Sequence, residues 1–405
     1  MRALYSTSIF LYQLAINLSS PFNIKAKKWV VGRKKWRKNL IKTLPKERKI
    51  VWFHCASLGE FEQGRSVIEA YKLAQPTHFI LLTFFSPSGY EIRKEYKGAD
   101  HVCYLPADTP SNAKAFLKIV KPQKAYFIKY EFWFNYLIEL KENRIDTFLI
   151  SGIFRKKQHF FKWYGGWFRR QLSAFNHFYL QNKQSGELLR SIGFDNFSVC
   201  GDTRFDRVNE LVTNAKPIKE IADFSANNYT IIAGSTWPKD EELLLEVVKK
   251  HPEIKLIIAP HEINASHLKF IKTLFGERAG FFTKSEFNRQ VLIVDTIGML
   301  SSIYRYGKWA YIGGGFGSGI HNTLEAVSYG IPVVFGPNYH KFQEAVDLIA
   351  IEAAKSIQDK NSLLQQTHAW KEDDVLRNKM GMASKEYVQS NLGATNKIIA
   401  DTAKN

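Results

Sequence analysis

Residues 309–335 read WAYIGGGFGSGIHNTLEAVSYGIPVVF, and the order of residue types within them decides the architecture. The apolar run 309–312 reads as a short buried strand. Gly313-Gly314-Gly315-Phe316-Gly317-Ser318-Gly319 follows as a glycine-rich loop. A helix is expected to begin at His321 or Asn322, and 332–335 opens another strand. Strand, loop, helix and strand in that order make one turn of a parallel α/β sheet. Glycines let the backbone approach an anion, and a helix start adds unpaired N–H groups and partial positive charge. The loop is not GxGxxG at the first strand of a domain, and no Gly-Lys-Ser/Thr follows it. Dinucleotide-fingerprint and P-loop readings therefore fail.

The same rhythm extends in both directions. Upstream, strands are expected at 49–56, 78–85, 101–105, 124–129, 147–151 and 177–180, with a helix from the first of them to about Ala74. The rhythm restarts after Ala226-Asn227-Asn228, with strands at 229–233, 255–259, 291–294, 309–312 and 332–335. Between the two series, 209–228 holds Pro217 and little strand pattern. From about Ala369 the tail reads as helix, interrupted near Gly381 and Gly393. A chain of 405 residues suits two domains of roughly 200 residues each. The expected division is a helix and basic segment at 1–42, one Rossmann-like domain at 43–215, a second at 216–385 and a helical tail at 386–405. Two such doubly wound domains would leave a cleft at the carboxyl ends of their strands, where open α/β sheets bind ligands.

The formal net charge of +19 admits nucleic acid, an anionic membrane or a phosphorylated substrate as partner. The location of the charge narrows the choice. Residues 3–24 carry no charged side chain, and then come Lys25, Lys27, Lys28, Arg33, Lys34, Lys35, Arg37, Lys38 and Lys42. On a helix, Ser6, Gln13, Asn17 and Ser20 share one face; Tyr5, Ile9, Tyr12 and Ile16 share another, joined by Phe10, Leu11, Leu14 and Leu18. That pattern suits a helix lying in a membrane interface with cations meeting anionic headgroups on the cytoplasmic side. The alternatives are a full span, for which the stretch is polar, a signal peptide, for which the start is nearly uncharged and shows no clear cleavage site, and a helix packed on the protein body. A second stretch, 154–170, interleaves Arg155, Lys156, Lys157, Lys162, Arg169 and Arg170 with Phe160, Phe161, Trp163, Tyr164, Trp167 and Phe168. It suits lipid contact, single-stranded nucleic acid or a partly buried helix with snorkelling cations. Cys55, Cys103 and Cys200 have neither CxxC nor metal-ligand spacing, and their odd number points to a reducing compartment.

Beyond the glycine loop, His321-Asn322-x-x-Glu325, then Gly330-Ile331-Pro332-Val333 and Gly336-Pro337-x-x-x-Lys341, resemble the nucleotide-sugar half of GT-B glycosyltransferases, and of the 3-deoxy-D-manno-octulosonic acid (Kdo) transferases in particular. Asp295-Thr296-Ile297-Gly298 and Ala233-Gly234-Ser235-Thr236 are similar to two further motifs of that family. The resemblance implies two Rossmann-like domains facing a central cleft, with CMP-Kdo as donor. It implies donor contacts among Ser235, Thr236, His261, Gly315, Gly317, His321, Asn322, Glu325 and Lys341. Where many relatives carry Arg-His after Ala-Pro, this chain reads Ala259-Pro260-His261-Glu262, so His261 stands where a phosphate-binding arginine is expected.

In the first domain, His54-Cys55-Ala56-Ser57-Leu58-Gly59-Glu60 closes a strand and opens a helix. It resembles the family's His-x-x-Ser-x-Gly-Glu motif and implies Glu60 as catalytic base, with Ser57 and Gly59 beside the acceptor. A carboxylate at a helix start and strand end is also well placed on physical grounds. Tyr130-Glu131-Phe132-Trp133 is similar to Glu-x-Glu-x-Trp-Pro, with Lys129 and Phe134 replacing the first Glu and the Pro. Gly201-Asp202-Thr203-Arg204-Phe205-Asp206 is similar to Gly-Asn-x-Lys-Phe-Asp. Glu131, Arg155 and Arg204 are the remaining acceptor candidates, the arginines for phosphates of a lipid A precursor. No metal or cofactor is expected, because helix N–H groups and basic side chains would stabilise the leaving phosphate. The implied activity is an inverting transfer of Kdo to lipid IVA at the cytoplasmic face of the bacterial inner membrane. The rivals are a GT-B enzyme or epimerase using another nucleotide sugar, a catalytically dead membrane scaffold, and a basic nucleic-acid-binding protein, which leaves the glycine loop and Glu325 without a role.

Overall fold

The apolar runs pair side by side in the computed structural model, which describes residues 1–403. The first sheet holds β1 (Ile50–Cys55), β2 (Phe79–Phe84), β3 (His101–Tyr104), β4 (Lys124–Ile128), β5 (Asp146–Gly152), β6 (His177–Leu180) and β7 (Phe197–Val199). The second holds β8 (Tyr229–Thr236), β9 (Ile254–Pro260), β10 (Ala279–Phe281), β11 (Val291–Ile293), β12 (Trp309–Ile312), β13 (Val333–Phe335) and β14 (Ala354–Ser356). Every pairing is parallel. The orders are β3-β2-β1-β4-β5-β6-β7 and β10-β11-β9-β8-β12-β13-β14. All residues of β1, β2 and β4 are buried, as expected of parallel strands covered on both faces, and they read as continuous apolar runs for that reason.

In each sheet the winding reverses beside its first strand, between β1 and β4 and between β8 and β12. The loops leaving two such neighbours turn to opposite faces and open a crevice at the strands' carboxyl ends. Both expected functional loops leave these strands. The core around the first crevice is aromatic: Trp52 packs 4.9 Å from Phe116 and 5.1 Å from Phe127. In the second unit Trp309 meets Trp370 edge-on at 5.5 Å.

The chain divides into two compact units, Met1–Arg207 with Leu392–Asn405, and Val208–Asn391. The division thus falls inside the helix Thr203–Asn214, ahead of the expected junction at 215/216. The tail placed apart at 386–405 is not one piece either. Its last helix, Ala394–Thr402, belongs to the first unit through contacts that local patterns do not encode: Asp206 accepts the backbone N–H groups of Gly393 and Thr395, each at 2.7 Å, and Lys124 Nζ donates to Thr402 O at 2.6 Å.

Two expected helix boundaries also move. The tail breaks at Asp373, which caps Leu376 N at 2.8 Å, and the helix Asp374–Ser390 runs unbroken through Gly381. The helix after the glycine loop starts at Leu324 rather than at His321 or Asn322 and spans only Leu324–Val327.

At the amino terminus the helix Arg2–Ser19 has no fully buried residue. Tyr5 donates to Asp108 at 2.6 Å and stands 5.0 Å from Phe134, and Ser6 accepts from Asn135 at 3.3 Å. Part of the expected polar face and part of the Tyr5 stripe therefore turn to the protein, and Phe10, Leu11, Leu14 and Leu18 remain exposed. No helix among the described residues is long and apolar enough to cross a membrane. The stretch 154–170 divides as well: Phe154 and Phe160 enter the core, whereas Trp163 is 93% exposed and Tyr164 is exposed beside it.

Candidate functional site

At the β1–β4 crevice, Ser57 caps the helix Leu58–Ala74 from an extended conformation, and Gly59 N–H donates to Ser57 Oγ at 3.3 Å. Glu60 follows in the first turn, 7% exposed, and its Oε2 accepts from the Ser57 hydroxyl. A carboxylate so placed gains from the helix start and can accept a proton from a hydroxyl presented at the strand end.

From β4 comes Lys129, in the left-handed region at φ 72°, then Tyr130 and the buried Glu131. Burial, reinforced by the charge of Glu60, pushes the Glu131 carboxyl up to about 8. Trp133 holds this loop to β1. Its indole N–H lies 2.9 Å from both His54 Nε2 and Glu131 Oε2. With His54 Nε2 accepting, His54 Nδ1 carries the proton and donates to Thr83 Oγ1 at 2.9 Å; Trp52 Nε1 donates to the same hydroxyl at 2.8 Å. Burial lowers His54 to about 3, so the ring is neutral. Trp133, His54 and Thr83 thus form a directed hydrogen-bond chain that fixes the Glu131 loop.

The other acceptor candidates are placed differently. Arg155 is exposed, with its charge reaching Tyr130. Arg204 pairs with Asp202 at 2.8 Å, and Asp202 also accepts from Gln63. Burial pushes the Cys55 thiol well above its ordinary value, which leaves it a small apolar filler.

At the β8–β12 crevice, Asp240 ties the glycine loop to the helix Pro238–Lys250. Its Oδ2 accepts from Gly314 N and Trp237 N, each at 2.9 Å, and its Oδ1 from Tyr311 OH at 2.8 Å. Trp237 Nε1–H donates to His321 Nε2 at 2.9 Å. His261 stacks on His321 with centroids 4.1 Å apart, and burial with His261 beside it lowers His321 to about 4. Both rings are therefore neutral donors or acceptors at pH 7, and His261 carries no arginine-like charge.

Gly315 lies where a Cβ would come within 2.5 Å of Gly336 N, so its role is close backbone packing; at Gly317 a Cβ would meet only Gly314 O, at an ordinary 3.5 Å. Ser235 adopts φ 54° at the irregular end of β8. Thr236 is fully buried, and its hydroxyl donates to Glu241 at 2.7 Å. Asn322 donates to Glu325 Oε1 at 3.0 Å and accepts Leu324 N–H at 3.1 Å, so it holds the first residue of the short helix and orients the carboxylate. Lys341 is exposed.

The sequence singles out His321, His261, Glu131 and Glu60, and it places Trp133 in a motif without a role; Trp237 and Asp240 were missed. A tryptophan just past a strand end, next to a named motif, was the available signal. Among the described residues no group of three or more His, Cys, Asp or Glu is arranged to hold a metal ion.

A family model described as 3-deoxy-D-manno-octulosonic-acid transferase (kdotransferase) matches residues 33–207. A 3-deoxy-D-manno-octulosonic acid transferase of Aquifex aeolicus is 30% identical over 318 residues, 75% of this chain and 80% of that protein. One of Chlamydia muridarum is 26% identical over 349 residues, 82% of this chain and 80% of that one. The fold is also that of a UDP-GlcNAc 2-epimerase from Neisseria meningitidis (TM-score 0.63, 16% identity, 88% of this chain and all of that one). A glycosyltransferase from Rickettsia africae shares it (TM-score 0.58, 14% identity, 88% and 98%). Two parallel seven-stranded units with these neighbours make the fold GT-B, and with 30% identity over 75% of this chain and 80% of the Aquifex aeolicus protein the chain belongs to the 3-deoxy-D-manno-octulosonic acid transferase family of glycosyltransferases.

Proposed function

We propose that this enzyme transfers Kdo from CMP-Kdo to a lipid A precursor of the lipid IVA type, in an inverting displacement with Glu60 as base. The observation that carries the reading is the position of Glu60: buried at a helix start, at the β1–β4 crevice, inside the stretch matched by the family model. Glu60 takes the proton of the acceptor hydroxyl as that oxygen attacks the anomeric carbon, and CMP leaves from the opposite face. Glu131, mostly protonated at pH 7, does not compete for that proton, and it offers an O–H to the acceptor sugar. Ser57, Gly59, Arg155 and Arg204 are the further acceptor contacts. Ser235, Thr236, His261, Gly315, Gly317, His321, Asn322, Glu325 and Lys341 form the donor set, in which Thr236 and Gly315 act through packing and through the groups they hold. No metal takes part; the leaving phosphate meets backbone N–H groups of the glycine loop. The protein works at the cytoplasmic face of the inner membrane, with the exposed apolar side of the first helix against lipid and no nucleic acid as partner.

The test is incubation with CMP-Kdo generated in place and a tetraacyl lipid A precursor, in EDTA, with products read by mass spectrometry. Wild type is expected to form Kdo-bearing lipid, and Glu60→Gln to lose about 10²–10⁴ in rate. Transfer by both at equal rate removes Glu60 from the mechanism. No transfer by wild type in EDTA, restored by a divalent cation, overturns metal independence. No transfer under either condition, with no binding of CMP-Kdo, sends the donor assignment to another nucleotide sugar.

A further inference from the structure

The β8–β12 crevice contains a cavity of about 430 Å³, inside the about 300–1,000 Å³ range of small-molecule sites. Trp237, Lys239 and Asp240 wall one side; Phe316, Gly317 and Ser318 wall the other. Three features of the wall select an anion. Lys239 is exposed and has no carboxylate partner among the described residues; its ammonium lies 5.5 Å over the Phe316 ring. The loop closes on itself through Gly317 N–H to Gly314 O at 2.9 Å, and among the described residues no acceptor takes the amide N–H of Phe316 or of Ser318. The one acid in the wall, Asp240, already accepts from Gly314, Trp237 and Tyr311 and is buried, so it does not oppose an anion at the opening.

The rest of the wall is apolar, with the Trp237 and Phe316 rings available to the C–H face of a sugar. Asn322 and Glu325, also of the donor set, lie beyond Gly319 and outside this cavity. Two groups of the donor could supply the anion, its phosphate or the carboxylate of its sugar.

Resting on the donor reading above, we propose that this cavity seats the sugar acid of the donor, with Lys239 Nζ and the Phe316 and Ser318 amides on its carboxylate. A neutral sugar offers these three donors no charge in place of the water it displaces, so the same groups favour acidic over neutral nucleotide sugars. Lysine serves here as a point charge where histidines 261 and 321, being neutral, cannot.

The test compares KM for CMP-Kdo, generated in place, with the inhibition constant of CMP for wild type, Lys239→Met and Lys239→Arg. The methionine variant is expected to raise KM about tenfold or more, the worth of one charge-assisted hydrogen bond. CMP inhibition is expected to move by less than about twofold, since CMP lacks the carboxylate, and arginine is expected to restore most of the loss. An unchanged KM overturns the proposal. An equal weakening of CMP also overturns it, by assigning the cavity to the phosphate. If wild type itself neither turns over nor binds CMP-Kdo, the donor reading fails and the proposal falls with it; the first two failures leave wild-type turnover intact.

Discussion

Glu131 is mostly protonated at pH 7, because burial and the neighbouring charge of Glu60 push it up to about 8. An acid whose folded value lies above its ordinary value of 4.5 contributes stability that is complete below that value and is lost as pH rises through 8. Glu131→Gln removes the dependence. Between pH 5 and pH 8 the wild type should therefore lose on the order of a few kcal/mol relative to this variant, measured by urea denaturation at both pH values. An equal difference at both would mean that the folded protein holds Glu131 ionised. His54 acts in another window: lowered to about 3 from 6.5, it costs stability as pH falls below 6.5, and it does so in both proteins. Glu60, Asn322 and Glu325 were legible in the sequence because each sits in a local motif. The contacts of Trp133 with His54 and of Trp237 with His321 were not, since those partners lie 79 and 84 residues away.

Most elements could be read from the chain, and the exceptions have a common cause. The three unread strands, β7, β10 and β14, have three residues each and lie at sheet edges. An edge strand pairs on one side only and needs no continuous apolar run; Ala354-Lys355-Ser356 illustrates it. Gly381 misled for a different reason. Glycine is a poor helix former, worth about 1 kcal/mol against alanine, so a break was expected there. The helix continues because Gly381 admits the Gly330 turn, whose carbonyl oxygen would lie 2.3 Å from a Cβ at 381. Two opposed effects thus meet at this residue, and packing should win. Gly381→Ala is expected to destabilise by about 1–3 kcal/mol despite its better propensity. Gly166→Ala, where a Cβ meets nothing within 4 Å, should change stability by less than about 1 kcal/mol and in the favourable direction. Thermal unfolding of both variants decides it, and a stabilised Gly381→Ala would refute the packing account.

For the whole molecule, the question is where the charge of +19 acts. Of the nine cations between Lys25 and Lys42, Arg33 is withdrawn: it is 9% exposed, lies 3.8 Å over the Trp29 ring and donates to the carbonyls of Trp29, Phe85 and Leu105. Lys28 pairs with Glu91 at 3.5 Å. The seven that remain adjoin a helix whose outward residues are Phe10, Leu11, Leu14 and Leu18, followed by Phe22 at 93% and Ile24 at 75% exposure. Apolar side chains beside cations that have no carboxylate partner among the described residues match an anionic bilayer surface, where each cation near the headgroups adds about 1 kcal/mol and each apolar side chain up to about 1.5–3 kcal/mol if fully buried. Both terms should appear in sedimentation with vesicles. Binding is expected to be strong on vesicles rich in phosphatidylglycerol, weaker on phosphatidylcholine alone, and reduced by salt. Phe10→Glu with Leu14→Glu and Leu18→Glu should lower it by at least about a hundredfold. The first helix should stay docked in that variant, because Tyr5 and Ser6 hold it through Asp108 and Asn135. Transfer to a detergent-dispersed acceptor should then persist while transfer to a vesicle-borne acceptor falls. Unchanged vesicle binding by the triple variant would move the membrane contact elsewhere, first to Trp163 and Tyr164. Equal binding to neutral and anionic vesicles would remove the cations from it.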